Sequence, residues 1–262
     1  MTLSVKHISS HDNPLFKELL KLAGSSRQRK KTGQTLLDGI HLVQACLVSG
    51  SQPLRLLVTA AALQEREVMV LLQELHGVPL TQLDDKLFVE LSELKTPSGL
   101  LALIDLPSPT VSPVHSQFGL LLEDIQDPGN LGSILRSAAA AGCDAVFLSK
   151  GCADAWSPKV LRAGMGGHFT LSVHESMDLL AVAAAFQGKL LAALPDAGIS
   201  LYDCDLRGKL AFVVGNEGAG LSHALLEATS QRVTIPMPGK VESLNVAAAA
   251  AVCLFEAARQ RR

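Results

Sequence analysis

Three polar segments in the second half of the chain combine residues that could bind a small ligand and act on it. The first reads Asp-Pro-Gly-Asn-Leu-Gly-Ser-Ile-Leu-Arg from Asp127 to Arg136. Asp-Pro-Gly-Asn is a turn, and Asn130 would be a good N-cap for the helix that follows. Arg136 lies in an otherwise apolar helix, where a buried guanidinium is costly without an anionic partner. We expect Arg136 to face an edge or a cleft; an exposed arginine that only aids solubility is the alternative.

The second segment, residues 213–222, carries three glycines around a carboxylate. Gly215 and Gly220 fit the G-x-x-x-x-G spacing of a phosphate-binding loop, but Leu221 stands where that loop needs a lysine. Glu217 would also repel a polyphosphate, and the dinucleotide-binding pattern fails because its last glycine is missing. The loop therefore suits a hydroxylated or cationic ligand. A plain strand-to-helix turn is the alternative.

The third segment, residues 235–247, joins a stiff loop to a long apolar helix. The loop reads Ile-Pro-Met-Pro-Gly, and its two prolines restrict the backbone. Ser243 and Asn245 then place a hydroxyl and a carboxamide on either side of Leu244, just before the helix. Either residue could simply cap the helix, and capping is the alternative to a role in ligand binding.

The apolar pattern places these segments where strands end and helices begin. In the second half, strands are predicted at residues 118–123, 145–149, 189–194, 210–214 and 233–235. Their near-continuous apolar character is typical of a parallel sheet covered on both faces, here by Ala-rich helices. Open parallel sheets bind ligands beyond the carboxyl ends of their strands. We therefore expect the ligand to bind at that edge of the sheet.

The first half is predicted to be a smaller α/β domain. Strands are expected at residues 35–38, 54–59, 78–83 and 100–106, with helices at 39–48, 62–76 and 85–94 between them. Asn13 and Pro14 open a short helix that Gly24 closes, and a basic loop follows. Three prolines and three serines between residues 104 and 118 indicate an extended connector. The predicted boundaries are residues 1–105 for the first domain, 106–116 for the linker and 117–262 for the second domain.

Composition excludes several classes of protein. The 262 residues are 48% hydrophobic and 18% charged, which favours a folded chain over a disordered one. No apolar run is long enough for a membrane-spanning helix, and the first residues lack the apolar core of a signal peptide, so a cytoplasmic protein is expected. The five cysteines have neither a disulfide-framework nor a zinc-ligand spacing, and we predict no metal site.

Basic charge is concentrated near the start of the chain. The whole sequence has 23 basic and 25 acidic residues, but residues 1–31 hold seven basic residues and only two acidic ones. The densest part comprises Arg27, Arg29, Lys30 and Lys31. A local basic cluster of this kind is typical of a nucleic-acid contact, and a solvated charge run is the alternative.

Taken together, the three segments resemble the three motifs of the SpoU (TrmH) family of RNA ribose 2′-O-methyltransferases, within the SPOUT superfamily. The matching residues are Asp127-Pro128-x-Asn130-x-Gly132 with Arg136, Gly215-x-Glu217-x-x-Gly220-Leu221-Ser222, and Ile235-Pro236-Met237 with Ser243-Leu244-Asn245-Val246. This resemblance covers residues 118–259. The first half is more loosely similar to a substrate-binding domain that many members carry. The similarity lies in residues 27–33 and in Leu37-Asp38-Gly39, where members commonly have Glu-Gly.

The resemblance implies a fold that the sequence pattern alone does not. The C-terminal domain would be a parallel α/β sheet with a deep trefoil knot, an exception to the general rule that chains avoid knots. The N-terminal domain would be a small ribosomal-protein-like α/β fold that binds RNA. A homodimer with cofactor sites near the subunit interface is also implied, and the Ala-rich terminal helix would contribute to that interface.

The reaction implied by the resemblance is the transfer of a methyl group from S-adenosylmethionine to a ribose 2′-hydroxyl of RNA. The backbone of the second and third segments would wrap the cofactor. The cofactor-binding residues implied in this way are Gly215, Asn216, Ile235, Met237 and Leu244. Backbone groups held in place by a stiff loop can bind adenine without being ordered anew at each binding event.

The catalytic residues implied by the resemblance are Arg136, Asn130, Glu217, Ser243 and Asn245. Because a guanidinium is effectively always charged, we expect Arg136 to stabilise negative charge on the ribose oxygen and to fix an adjacent phosphate, which can accept the proton. Asn130 and Glu217 would orient Arg136. Ser243 and Asn245 would hold the ribose or the loop.

RNA binding would use Arg27, Arg29, Lys30 and Lys31, with contributions from Arg136, Lys159 and Arg162. The N-terminal accessory domain favours ribosomal RNA over transfer RNA as the substrate. A transfer RNA 2′-O-methyltransferase, a non-catalytic RNA-binding relative and a phosphate-loop nucleotide-binding protein are the alternatives. The presence of all five catalytic candidates disfavours the non-catalytic relative, and the missing lysine disfavours the phosphate-loop protein.

Overall fold

The computed structural model describes residues 6–75, 77–94, 96–196 and 199–262. The chain divides into two compact units. The first unit consists of Met1–Pro107 together with Trp156–Gly166, and the second consists of Ser108–Ala155 together with Gly167–Arg262. A short stretch from the second half of the sequence thus belongs to the first unit.

The first unit is built on a five-stranded mixed sheet. Its strands are β1 (Lys6–Ile8), β2 (Gln34–Asp38), β3 (Arg55–Val58), β4 (Leu80–Leu83) and β5 (Leu100–Asp105). The order across the sheet is β1-β4-β3-β5-β2. Strands β1, β4 and β3 are parallel, whereas β5 runs antiparallel to both β3 and β2. The predicted α/β character of this half is confirmed.

Helices of the first unit follow the apolar pattern of the sequence. They are α1 (Pro14–Gly24), α2 (Ser26–Thr32), α3 (Ile40–Val48), α4 (Arg66–Glu74) and α5 (Asp85–Leu91). Helix α1 begins as predicted, because the side chain of Asn13 accepts a hydrogen bond from the N–H of Leu15 at 3.0 Å. Its apolar face, which includes Phe16 and Leu19, is buried in the core of the unit.

The basic stretch after α1 is a helix, and its prediction as a loop is wrong. The Ser25 hydroxyl caps α2 by accepting from the N–H of Gln28 at 3.2 Å. Gly33 ends the helix in the left-handed conformation, with φ of 67°. A serine cap, a glycine stop and arginine and lysine residues between them suffice for two turns of helix.

The second unit contains a seven-stranded sheet in which every pair of neighbouring strands is parallel. Its strands are β6 (Phe118–Leu122), β7 (Ala145–Ser149), β8 (Ser172–Met177), β9 (Lys189–Ala193), β10 (Ile199–Ser200), β11 (Leu210–Val214) and β12 (Gln231–Thr234). The order is β10-β12-β9-β11-β6-β7-β8. The predicted parallel sheet is confirmed, and β6 and β11 are buried along their whole length.

The strand order creates the position at which such a sheet can bind a ligand. From β6 the chain continues to β7 and β8 on one side, whereas the later strands β9, β11 and β12 lie on the other. The helices are α6 (Pro128–Ala141), α7 (Pro158–Gly164), α8 (Leu179–Ala185), α9 (His223–Glu227) and α10 (Val246–Gln260). Helix α10 packs against α6, while α7 belongs to the first unit. The direction of the chain across the sheet thus reverses between β6 and β11, and ligands of open parallel sheets commonly bind beyond the carboxyl ends of the strands near such a reversal.

Strands β8 and β10 and helix α7 do not follow from the sequence pattern. Strands β8 and β10 lie at the two edges of the sheet, where each pairs with only one other strand. Strand β8 contains the polar residues Ser172 and Glu175 and so lacks a continuous apolar run. Helix α7 lies within residues 117–262, yet it contacts β2. In the same stretch, the Thr35 hydroxyl donates to the Trp156 carbonyl at 2.8 Å. Apolar periodicity indicates that a helix has a buried face, but not which sheet it covers.

None of the described helices is long and apolar enough to cross a membrane. Within the same residues, no three acidic, histidine or cysteine side chains are grouped so that they could hold a metal ion. All five cysteines are free thiols, and only Cys152 is partly exposed. Burial raises the pKa of Cys46 to about 11 and that of Cys253 to about 12, so both are uncharged near neutral pH.

Arg29 does not lie on the surface with the other basic residues of α2, which corrects its prediction as an RNA contact. Its side chain is 4% exposed. The guanidinium donates to the carbonyls of Leu22 and Ala23, at 2.5 and 2.9 Å, and so satisfies acceptors at the end of α1. Arg27, Lys30 and Lys31 remain exposed on the same helix.

We predict that Arg29→Ala lowers the free energy of unfolding of the first unit by about 2–3 kcal/mol, because it leaves buried carbonyls without donors. Lys31→Ala is the matched control on the exposed side of α2, with an expected change within about 0.5 kcal/mol. Urea denaturation measures both. Equal losses for the two variants would contradict the structural role of Arg29.

Candidate functional site

A cavity of about 410 Å³ opens at the carboxyl ends of β9, β11 and β12 in the second unit. Its wall combines residues that follow these three strands with the start of α10. They include Pro195 after β9, Gly215, Asn216 and Glu217 after β11, Ile235 and Met237 after β12, and Ser243, Leu244 and Asn245 before α10. The second and third polar segments of the sequence therefore meet around one cavity.

The loop after β11 is closed by its own backbone and by Asn216. The N–H and C=O groups of Asn216 and Gly220 pair with each other at 3.1 and 3.0 Å. The Asn216 carboxamide oxygen accepts from the N–H groups of Gly218 and Ala219, both at 2.9 Å. Gly215 must be glycine, because a Cβ atom there would collide with the Gly220 carbonyl. Glu217 is thus carried at the exposed tip of a rigid turn.

The loop after β12 leads into the capped start of α10. Asn245 is the N-cap, and its side-chain oxygen accepts from the N–H groups of Ala247 and Ala248 at 2.9 and 3.3 Å. Ser243 makes no such cap. Leu244, between them, lines the cavity with a side chain that is 37% exposed, so an apolar surface is available to a ligand.

Asn130 connects the three polar segments through one carboxamide. Its nitrogen donates to Glu217 Oε1 at 2.8 Å, and its oxygen accepts from the side-chain nitrogen of Asn245 at 3.0 Å. The predicted role of Asn130 as helix cap is wrong. Asp127 caps α6 instead, by accepting from the N–H of Asn130 at 2.7 Å. The Asn130 side chain, relieved of capping, is free to bridge the other two loops.

The loop after β6 is fixed by hydrogen bonds from a residue at the end of β7 and from a residue in the loop after β11. Asp124 has a positive φ of 54°, which is strained for a residue with a side chain. The Ser149 hydroxyl accepts from the Asp124 N–H at 2.9 Å and donates to its carboxylate at 2.5 Å. The Asn216 side-chain nitrogen donates to the Asp124 carbonyl at 2.8 Å. These contacts fix the direction in which the chain enters α6.

Cys152 supports the same loop as an uncharged thiol. Its sulfur donates to the Leu122 carbonyl at 3.2 Å and accepts from the Ile125 N–H at 3.4 Å. Burial raises the pKa of the Cys152 thiol, which keeps the proton needed for donation. Gly151 lies beside Asp124, and a Cβ atom at this position would collide with the Asp124 carboxylate.

Comparison with known families identifies both halves of the chain. Residues 117–255 match the SpoU rRNA Methylase family, and residues 13–102 match the MRM3-like substrate binding domain. The chain belongs to the SpoU rRNA methylase family. The resemblance inferred from the three motifs is confirmed, and the family match covers all the loops that line the cavity.

Similar proteins extend over almost the whole chain. An uncharacterized tRNA/rRNA methyltransferase of Synechocystis is 36% identical over 100% of this chain and 96% of its own. The 23S rRNA (guanosine(2553)-2′-O)-methyltransferase RlmP of Bacillus subtilis is 33% identical over 96% of this chain and 98% of its own. The crystal structure of an AdoMet-bound rRNA methyltransferase from Sinorhizobium meliloti has a TM-score of 0.83, with 26% identity over 97% of this chain and 98% of that one.

The structure brings most of the predicted site residues together. Every residue predicted to bind the cofactor lines the cavity. Three of the predicted catalytic residues line it as well, and Asn130 contacts two of these three directly. The cavity residues in these two groups are Gly215, Asn216, Ile235, Met237 and Leu244, and Glu217, Ser243 and Asn245. For Asn216 the side chain and the backbone N–H and C=O groups all form hydrogen bonds within the protein, so this residue shapes the cavity wall.

Arg136 and the basic residues lie outside the cavity wall. Arg136 is exposed on α6, and no described residue accepts a hydrogen bond from it or pairs with it. Asn130 and Glu217 bind each other rather than Arg136, so the expectation that they orient Arg136 is not met in this structure. Lys159 and Arg162 are exposed on α7 of the first unit.

Sequence reasoning missed Asp124, Ser149 and Gly151 as supports of the site. Asp124 is separated from Ser149 by 25 residues, and a serine at the end of a strand is too common to signal a contact. A usable signal existed only for Asp127, which precedes proline at the start of a helix, a common arrangement for an N-cap.

We predict that Asn245→Ala destabilises the second unit by about 1–2 kcal/mol, because it removes both the cap and the bridge to Asn130. Asn245→Ser keeps a capping oxygen but loses the amide donor, so its expected cost is about 0.5–1 kcal/mol. In an Asn130→Ala background the serine substitution should cost nothing further. Chemical denaturation of this double-mutant cycle measures the coupling, and strictly additive losses would disprove the bridge.

Proposed function

We propose that this protein transfers a methyl group from S-adenosylmethionine to a ribose 2′-hydroxyl of RNA, and that its substrate is ribosomal RNA. The observation that carries the proposal is the cavity that the second and third segments of a SpoU-family chain form at the edge of a parallel sheet, with Asn130 of the first segment bridging them. The relatives named as 23S rRNA 2′-O-methyltransferase and AdoMet-bound rRNA methyltransferase support the reaction, the cofactor and the kind of RNA.

The cavity residues suit S-adenosylmethionine. A volume of about 410 Å³ lies within the range of about 300–1,000 Å³ that is common for small-ligand sites. Ile235, Met237 and Leu244 offer apolar surface for an adenine ring. The backbone of Gly215 offers polar groups beside a turn that Asn216 and Gly220 already order, which limits the entropy lost on binding.

Arg136 is proposed to act on the ribose rather than on the methyl donor. The cofactor supplies an electrophilic methyl group, and the attacking hydroxyl oxygen must lose its proton. The exposed guanidinium of Arg136, which pairs with no described residue, is available to stabilise negative charge on that oxygen and to hold an RNA phosphate. Ser243 and Asn245 lie just before the N-terminus of α10, and they are proposed to position the ribose or the loop that contacts the ribose.

RNA is proposed to bind the exposed face of α2. Arg27, Lys30 and Lys31 present their charges there, whereas Arg29 is used inside the unit. Lys159 and Arg162 on α7 are further candidates in the first unit. The match of this unit to the MRM3-like substrate binding domain supports its role in recognising the substrate. Each phosphate contact releases counterions, so binding should weaken as salt rises.

The assembly and location of the protein are also proposed from the family resemblance. A homodimer is supported by the exposed Phe255 on α10, whose side chain is 48% exposed on an otherwise Ala-rich helix. The proposed domains are residues 1–105 and 117–262, joined by the linker at 106–116. A deep trefoil knot and a cytoplasmic location remain predictions from the resemblance.

We predict that the purified protein methylates ribosomal RNA in the presence of S-adenosylmethionine, and that Arg136→Ala and Arg136→Lys both reduce the rate at least about 100-fold. The lysine variant fails because an ammonium cannot reproduce the forked contact of a guanidinium. Binding of S-adenosylmethionine should persist in both variants, since Arg136 does not line the cavity. The readout is resistance of the methylated nucleotide to alkaline cleavage, combined with calorimetry.

Arg207→Lys, an exposed substitution that keeps the ion pair with Asp205, is the matched control and should leave the rate unchanged. Near-normal turnover by Arg136→Lys would contradict the proposed role. Methylation of transfer RNA but not ribosomal RNA would assign the substrate to the other class. RNA binding without cofactor binding or methylation would indicate a non-catalytic relative.

A further inference from the structure

Glu217 is the only residue with a charged side chain in the described wall of the cavity. The other lining residues are apolar, glycine, or neutral polar residues such as Asn216 and Ser243. A carboxylate in such a wall can accept a hydrogen bond from a hydroxyl of the ligand or pair with a cationic group of the ligand. Its presence therefore bears on the charge of the ligand.

The position of this carboxylate is set by neutral groups. Asn130 donates to Glu217 Oε1 at 2.8 Å, and Asn216 closes the turn that carries Glu217. Among the described residues, no lysine, arginine or histidine pairs with Glu217, and its second carboxylate oxygen has no hydrogen-bond donor. Glu217 is therefore fixed in direction while its negative charge is not neutralised by the protein.

An unpaired carboxylate is unfavourable beside RNA, because both carry negative charge. The charge is compensated if a cation binds in the cavity. S-adenosylmethionine carries two positive groups, the sulfonium and the α-ammonium, but methyl transfer removes only the sulfonium charge. The donor and its thioether product, S-adenosylhomocysteine, thus differ by one positive charge and one methyl group.

We propose that Glu217 complements the sulfonium charge and so lets the site distinguish the methyl donor from its neutral-sulfur product. This inference rests on the proposed function. In the reaction the carbon–sulfur bond breaks with its electron pair left on sulfur, the carbon–oxygen bond forms, and the hydroxyl proton passes to the adjacent RNA phosphate. The attraction to Glu217 disappears in the same step, so it favours donor binding and product release rather than the chemical step.

The test compares ligand affinities of the intact protein with those of Glu217→Gln by calorimetry. Glutamine keeps an oxygen that can accept from Asn130, so the turn is expected to be preserved. The dissociation constant for S-adenosylmethionine should rise about tenfold. That of sinefungin, which carries an amine in place of the sulfonium group, should rise similarly. Affinity for S-adenosylhomocysteine should stay within about twofold.

Glu242→Gln is the matched control, because it removes the same charge from the exposed loop after β12 without changing the cavity wall. It should leave all three affinities unchanged. If Glu217→Gln weakened the binding of donor and product equally, Glu217 would interact with the ammonium group that both share or would only maintain the loop. Either result would overturn the proposal. Unchanged affinities would overturn it too. Failure of the unmodified protein to bind the donor would instead contradict the proposed function.

Salt provides a second readout that needs no substitution. Raising NaCl from about 0.05 M to about 0.5 M should reduce the preference of the unmodified protein for donor over product, because an exposed ion pair is screened. A preference that does not change with salt would overturn the proposal even if the glutamine variant failed to fold.

Discussion

The carboxamide of Asn130 is the interaction on which the arrangement of the site depends. It gives a hydrogen bond to Glu217 and takes one from Asn245, and so links loops that are 87 and 115 residues away in the sequence. An amide is suited to this position because it offers a donor and an acceptor at once. A carboxylate there would repel Glu217, and a hydroxyl is too short to make both contacts at these separations.

The parallel sheet makes this bridge possible. Because β11 lies between β6 and β9, the loops after β6 and β11 are neighbours, and the loop after β12 leads into α10, which packs against α6. The buried strands hold the loop ends, while Ser149 and Asn216 fix the path of the strained residue Asp124. Local strain of this kind persists only where surrounding contacts determine it, and such residues often occur at functional sites.

Much of the site could be predicted from the sequence, because strong local signals coincide with its position. The apolar runs of β6 and β11 predict a buried parallel sheet, and the motif residues after β11 and β12 indicate loops that line the cavity. The side-chain roles could not be predicted in the same way. Asn130 is of a residue type that commonly caps helices, yet Asp127, which precedes the proline at the helix start, performs that function, and the bridge made by Asn130 depends on residues distant in sequence.

Charge also illustrates what a sequence leaves open. Arg29 belongs to the densest basic stretch, but its guanidinium is buried and donates to carbonyls at the end of α1. Glu217 is the opposite case. It lies at the exposed tip of its loop, and its charge in the cavity wall is not neutralised by a described residue. Counting charges along the chain gives neither result, because burial and pairing depend on residues that are distant in sequence.

Hydrogen exchange after Asn130→Ala tests the central claim most directly, namely that one amide orders both remote loops. Exchange of backbone N–H groups reports local opening, so its rate rises where an ordering contact is lost. We expect faster exchange in residues 215–221 and around the start of α10, with β6 and β11 unchanged. Faster exchange confined to the first turns of α6, with both remote loops unaffected, would contradict it.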